Sequence, residues 1–190
     1  MNDLDFQKLL SDRNIVIVHF SHFAVMGQTV EFPDDLLHAI SHHKDQTRSC
    51  CALWPEHNME LPGSVGVIFK PTIEQLVSVL ADDSGSTDFG GKEISAGEIP
   101  TSETLLASSQ VRAGCYNEWR VRGAEPIGIF VVDIHNICAK KKLQLHFNGE
   151  LIDEICCTNI IFQSILEAFP GYPVYTFQSS GLCMVNGNGA

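Results

Sequence analysis

The chain has 190 residues, 44% hydrophobic and 18% charged. That apolar share can build a core, which excludes global disorder, and the length fits one domain. Its 12 basic and 23 acidic residues leave a net charge of −11, which repels a phosphate backbone and does not favour a nucleic-acid partner.

Asp3 to Leu10 reads as a short helix, ended by Asn14. The β-branched run Ile15-Val16-Ile17-Val18-His19-Phe20 predicts a strand buried on both faces. Pro33-Asp34-Asp35 opens a helix, since proline suits the first turn and acids suit the N-terminal dipole. Its apolar stripe is Leu36, Leu37 and Ile40. Cys50 to Trp54 is a second strand, and Glu56 to Pro62 is a polar loop. Gly63 to Phe69 is a third strand, whose glycines indicate close backbone approach.

Thr72 with Gln75 forms a capping box. Ile73, Leu76, Val77 and Leu80 then have helical spacing, with a strand at Val77-Ser78-Val79 as the alternative. Residues 82–99, rich in Gly, Ser and Asp, read as a mobile loop. Thr101 to Gln110 reads as a short helix. Tyr116 to Val121 and Ile127 to Val132 are strands. Lys140 to Phe147 alternates as an edge strand protected by its lysines. Leu151 to Phe169 is the longest helix expected, with Ile155, Ile161, Phe162, Ile165, Leu166 and Phe169 on one face and Gly171 at its end. Pro173 to Phe177 is a closing strand, and residues 186–190 are frayed. The mixed order of elements predicts one α+β domain over residues 1–185, with a split, mixed or antiparallel sheet and flanking helices.

Seven cysteines, an odd number with the adjacent pairs Cys50-Cys51 and Cys156-Cys157, do not suggest a disulfide framework. No signal peptide is recognisable at the N-terminus, and no apolar run approaches the ~18 residues that span a bilayer. The expectation is a cytoplasmic protein with reduced thiols and no membrane partner.

The chemistry-bearing candidate is Tyr116-Asn117-Glu118-Trp119-Arg120-Val121. In a strand, Glu118 shares a side with Tyr116 and Arg120 and opposes Asn117 and Trp119. A surface pair with Arg120 or Arg122 is the plain reading, and such pairs contribute little. The functional reading is a carboxylate that binds a ribose hydroxyl, stabilises a developing oxocarbenium ion, or orients a nucleophile.

The strand-borne Glu118, the strand Gly128-Ile129-Phe130-Val131, the helix Gln163-Ser164-Ile165-Leu166-Glu167 and then Pro173-Val174-Tyr175 resemble, in layout, the C-terminal half of ADP-ribosyltransferase folds. The layout is most similar to the DNA-modifying ADP-ribosyltransferase toxins. The resemblance implies NAD as substrate and Glu118 as the catalytic carboxylate. It implies that Val18-His19-Phe20-Ser21-His22 supplies the first strand of an NAD site, with His19 and Ser21 on the ribose. Arg48 would then meet the pyrophosphate and Tyr116 stack on nicotinamide. The acceptor stays open.

Three other readings stand beside it. A non-enzymatic binding module, such as a defence or toxin–antitoxin subunit, would present an acidic surface to a basic partner. A cysteine hydrolase would use Cys50, Cys51 or Cys115 with His19 or His57. A zinc site at His19 and His22 with Cys50, Cys51 or His57 lacks ligand spacing, so no metal is expected.

Overall fold

The computed structural model describes residues 1–20, 34–55, 57, 61, 63–80, 99–108, 117–147, 150–179 and 181–185, with the side chains of 34, 35 and 138–158 left aside. The elements in chain order are α1 (Asp3–Asp12), β1 (Val16–Phe20), α2 (Asp34–Ser41), β2 (Thr47–Leu53), β3 (Val65–Lys70), a 3-10 turn (Ile73–Gln75), β4 (Leu76–Leu80), α3 (Ser102–Ser108), β5 (Glu118–Arg122), β6 (Glu125–Val131), β7 (Ile137–Phe147), β8 (Glu150–Ile160), α4 (Phe162–Ala168), β9 (Val174–Gln178) and β10 (Gly181–Val185). This is an α+β fold. Eight strands form one sheet in the order β10-β9-β6-β3-β1-β2-β5-β4, and β7 and β8 form a separate pair. The main sheet is mixed, because β6 and β9 run parallel while its other pairs are antiparallel.

The alternation of side chains along each strand divides the core in two. One face carries Ile17, Cys50, Ala52, Val67, Trp119, Val121 and Ile129, which pack in one cluster with Phe6 of α1, Leu36 and Ala39 of α2, Leu105 of α3, and Phe162 and Ile165 of α4. The opposite face carries a smaller cluster of Val18, Phe20, Cys51, Leu53, Ile68 and Phe130. The first strand is thus buried on both faces, as expected of its β-branched run. Each fully buried large side chain contributes about 1.5–3 kcal/mol relative to exposure.

Two expectations change. The helix expected over Leu151 to Phe169 begins only at Phe162, and residues 150–160 are β8. That segment is rich in Ile, Cys and Thr, β-branched or small side chains that gain little from a helix. It pairs with β7 from Ile137↔Ile160 to Phe147↔Glu150, a non-local ladder that helical spacing does not reveal. The capping box at Thr72 and Gln75 is present, but it closes a single 3-10 turn. The chain then continues as β4, so the strand alternative at Val77-Ser78-Val79 is the correct one. Residues 82–98 of the expected loop, residues 186–190, and Ser21, His22, Cys115 and Tyr116 lie outside the described residues.

Candidate functional site

The candidate site is built around the first residues of β5. Asn117 precedes the strand and is fully buried. Its Oδ1 accepts from the Ala52 N–H at 2.8 Å, and its Nδ2 donates to the Ala52 carbonyl at 3.0 Å. The side chain therefore satisfies both backbone groups of a β2 residue, as a strand neighbour would. Trp119, also fully buried, lies opposite Cys50 in the β2–β5 ladder. Its Nε1 donates to Ser108 Oγ at 3.0 Å, and Ser108 Oγ donates to the Leu105 carbonyl at 3.0 Å. The tail of α3 and strand β2 thus hold the residues on either side of Glu118.

Glu118 has 0% exposure. The alternation turns it to the face opposite Trp119, away from the helix-covered core. Arg120 shares that face, and its Nε donates to Glu118 Oε1 at 3.3 Å. Burial of an ionised carboxylate is costly without a charged or hydrogen-bonding partner. Arg120 provides positive charge at hydrogen-bond distance. Ser49 of β2 and Ser78 of β4 flank Arg120 in the two ladders. Ser78 is buried, and its hydroxyl has no hydrogen-bond partner among the described residues. A carboxylate, a guanidinium and two hydroxyls on one sheet face form a polar set suited to sugar hydroxyls.

The other expected residues fall elsewhere. His19 is buried opposite Val67 in the β1–β3 ladder, and so belongs to the helix-covered face. Strands β1 and β2 pair only from Val16↔Leu53 to Val18↔Cys51, whereas the ladders on either side run further. Where that pairing ends, His19 Nδ1 donates to the Ser49 carbonyl at 2.7 Å. In a neutral imidazole this bond places the proton on Nδ1 and makes Nε2 the acceptor nitrogen. His19 thus links β1 to β2 through its side chain just beyond their backbone ladder. Arg48 also sits on the helix-covered face, opposite Val121. Its Nη2 donates to His38 Nδ1 at 2.8 Å and is 3.4 Å from the His38 carbonyl, so it ties α2 to β2. The structure brings His19 and Arg48 to one face and Glu118 to the other.

The cysteine and metal alternatives find little support. Cys50 and Cys51 are fully buried, and burial pushes the Cys50 thiol well above its usual range, the nearby Arg48 opposing this and Glu118 adding to it. Such a thiol is a poor nucleophile. His57 stacks on Trp54 with ring centroids 3.5 Å apart, and desolvation lowers its pKa to about 4, with the Ala52 backbone opposing. Among the described residues no three His, Cys, Asp or Glu side chains group as metal ligands. No described helix is long and apolar enough to cross a membrane. A cavity of about 350 Å³ lies beneath α1, between Gln7, Leu10, Asn14, Ile17, Phe69 and Leu182, and none of the expected site residues lines it.

Sequence reasoning missed Asn117, Ser108 and Ser78. The pattern Asn-Glu-Trp held a signal: two large or amide side chains on one face of a strand and a carboxylate on the other. Ser108 and Ser78 carried no local signal, because their roles depend on strand and helix partners distant in the chain. Comparison with protein-family models, curated proteins and solved structures returns no match.

Proposed function

We propose that the chain is an NAD-cleaving ADP-ribosyltransferase whose chemistry centres on Glu118. The observation that carries this reading is a fully buried carboxylate, backed by Arg120 at 3.3 Å and held by neighbours anchored in the core on the opposite face. Preorganised charge of this kind acts without reorganisation at the moment of reaction. In the proposed step Glu118 accepts a hydrogen bond from a hydroxyl of the nicotinamide ribose. The bond from ribose to nicotinamide breaks, its electron pair goes to the ring nitrogen, and nicotinamide leaves neutral. The carboxylate stabilises the cationic ribose. A nucleophile on the acceptor then attacks the same carbon and gives up a proton.

The ribose contact of His19 rests on the resemblance alone, because His19 lies on the helix-covered face and Glu118 on the other. Ser21 and Tyr116 keep the roles that the resemblance implies, at the ribose and the nicotinamide. The pyrophosphate contact expected of Arg48 is not carried forward, because its guanidinium holds α2. The toxin or defence setting rests on the resemblance to DNA-modifying toxins, and the charge of −11 argues against a nucleic-acid acceptor. The odd number of cysteines, with two adjacent pairs, fits a reducing compartment, and we place the enzyme in the cytoplasm.

One observation favours the second reading, a non-enzymatic binding module: His19 and Arg48 leave the sheet on the face away from Glu118. Calorimetry with NAD separates the two. The transferase reading expects binding by the wild type, weakened in His19→Ala and retained in Glu118→Gln. No heat of binding from the wild type moves the assignment to the binding module.

A further inference from the structure

The cavity of about 350 Å³ beneath α1 has no part in the proposed chemistry. It lies at the end of the sheet where β1 begins and β3 ends, beside the first residues of β6 and β10. The end of α1 forms its roof. Asn14 takes a left-handed backbone with φ 52°. Its N–H donates to the Ser11 carbonyl at 3.1 Å, and the Ile15 N–H donates to the Leu10 carbonyl at 2.8 Å. This bond pair is a Schellman helix end, which brings the apolar residues at its two limits together. Here these are Leu10 and Ile15, and both line the cavity. Gln7 ties the roof to the sheet, its Nε2 donating to the Pro71 carbonyl at 2.8 Å.

The lining sorts by depth. Ile15, Ile17 and Ile68 are buried and make an apolar floor. Leu10 and Leu182 are partly buried beside them. Ser11, Asn14 and Lys70 are exposed at the mouth. Apolar walls with a few polar groups at one side are the composition of a small-molecule site. Lys70 is the one charged side chain in the lining. Glu125 stands across from it in the β3–β6 ladder but does not line the cavity. At about 30 Å³ for each water-sized group, the cavity holds roughly twelve such groups.

We propose that this cavity binds an amphipathic monocarboxylate, an unbranched chain of about ten carbons by volume. Its carboxylate meets Lys70, and its tail lies on Ile15, Ile17 and Ile68. One lysine beside one acid suits a single negative charge rather than the nearly two of a phosphate ester. An exposed ion pair contributes little, so burial of the tail supplies most of the affinity. Neither Glu118, His19 nor Arg48 lines the cavity, so this ligand is independent of NAD.

The test is calorimetry of the full chain with butanoate, hexanoate, octanoate and decanoate, and with octan-1-ol as the neutral probe. Affinity is expected to rise about fourfold for each added methylene, up to decanoate. Lys70→Gln is expected to weaken octanoate about fivefold and leave octan-1-ol unchanged. Leu182→Trp fills the cavity and is expected to abolish binding of both probes while circular dichroism stays that of the wild type. Ile127→Trp, on a more exposed part of the lining, takes its place if Leu182→Trp does not fold. A wild type that binds none of the carboxylates overturns the proposal, as does affinity that is flat with chain length. Unchanged binding in a folded cavity-filling variant overturns the site. Octanoate and octan-1-ol weakened equally by Lys70→Gln, or octyl phosphate bound more tightly than octanoate, overturns the carboxylate.

Discussion

The side chain of Asn117 binds both backbone groups of Ala52, accepting at 2.8 Å and donating at 3.0 Å. It extends the β2–β5 ladder to a point two residues beyond the last backbone pair, Cys50↔Trp119, and on the same face. The strand that presents Glu118 is fixed by this bond rather than by local propensity.

Replacing Asn117 by Ala leaves the two Ala52 groups buried and unsatisfied. Each such group costs about 1–3 kcal/mol, so a loss of about 3 kcal/mol is expected for the pair. Urea denaturation of Asn117→Ala against the wild type measures it. If both proteins share a midpoint, Asn117 does not hold the strand.

At Gly66 strand β3 approaches β1 closely. A Cβ there meets Val18 Cγ1 at 2.5 Å and the His19 carbonyl at 2.8 Å. Both partners lie in the sheet and cannot swing away, so Gly66→Ala is expected to cost about 1–3 kcal/mol through overpacking. It also displaces the strand that carries His19. Thermal melting reads the first effect, and NAD calorimetry reads the second. An unchanged melting temperature contradicts the close approach.

The acid limb of stability carries the signature of His57. Its pKa falls from 6.5 to about 4 in the fold because the charged ring is desolvated. The unfolded chain therefore binds this proton at a higher pH than the folded chain does. Stability is full above pH 6.5 and falls as pH drops towards about 4. Melting temperatures across that window are expected to fall in the wild type and to fall less steeply in His57→Phe, which keeps an aromatic ring on Trp54. Parallel profiles for the two proteins contradict the assignment.

Among the described cysteines, reactivity follows burial. Cys50 and Cys51 are fully buried, while Cys183 on β10 is half-buried. Brief treatment of the native protein with iodoacetamide is expected to label Cys183 well before Cys50 or Cys51, as read by peptide mass spectrometry. Early labelling of Cys50 would revive the cysteine-hydrolase reading.

Much of the sheet was legible because its strands announce themselves locally. The run Ile15 to Val18 is apolar on both faces because both faces are covered. The glycine spacing in Gly63 to Gly66 pointed correctly to a close backbone approach. What was hidden is non-local. Ile155 and Ile161 satisfy a helical spacing by coincidence, while the ladder with β7 decides the state of residues 150–160. Glu118 could be singled out from its neighbours, because a carboxylate between Asn and Trp is unusual in a strand. That Arg48 would bind His38, on the face away from Glu118, depends on how α2 docks, and no residue near Arg48 encodes that docking.

The most direct measurement is nicotinamide release from NAD by the purified wild type and by Glu118→Gln, with folding of both checked by circular dichroism. The account predicts release by the wild type and a loss of at least about a hundredfold in the variant, the scale of removing one preorganised electrostatic group. Release at equal rates by both proteins would contradict the role assigned to Glu118. A wild type that neither binds nor cleaves NAD would contradict the transferase itself.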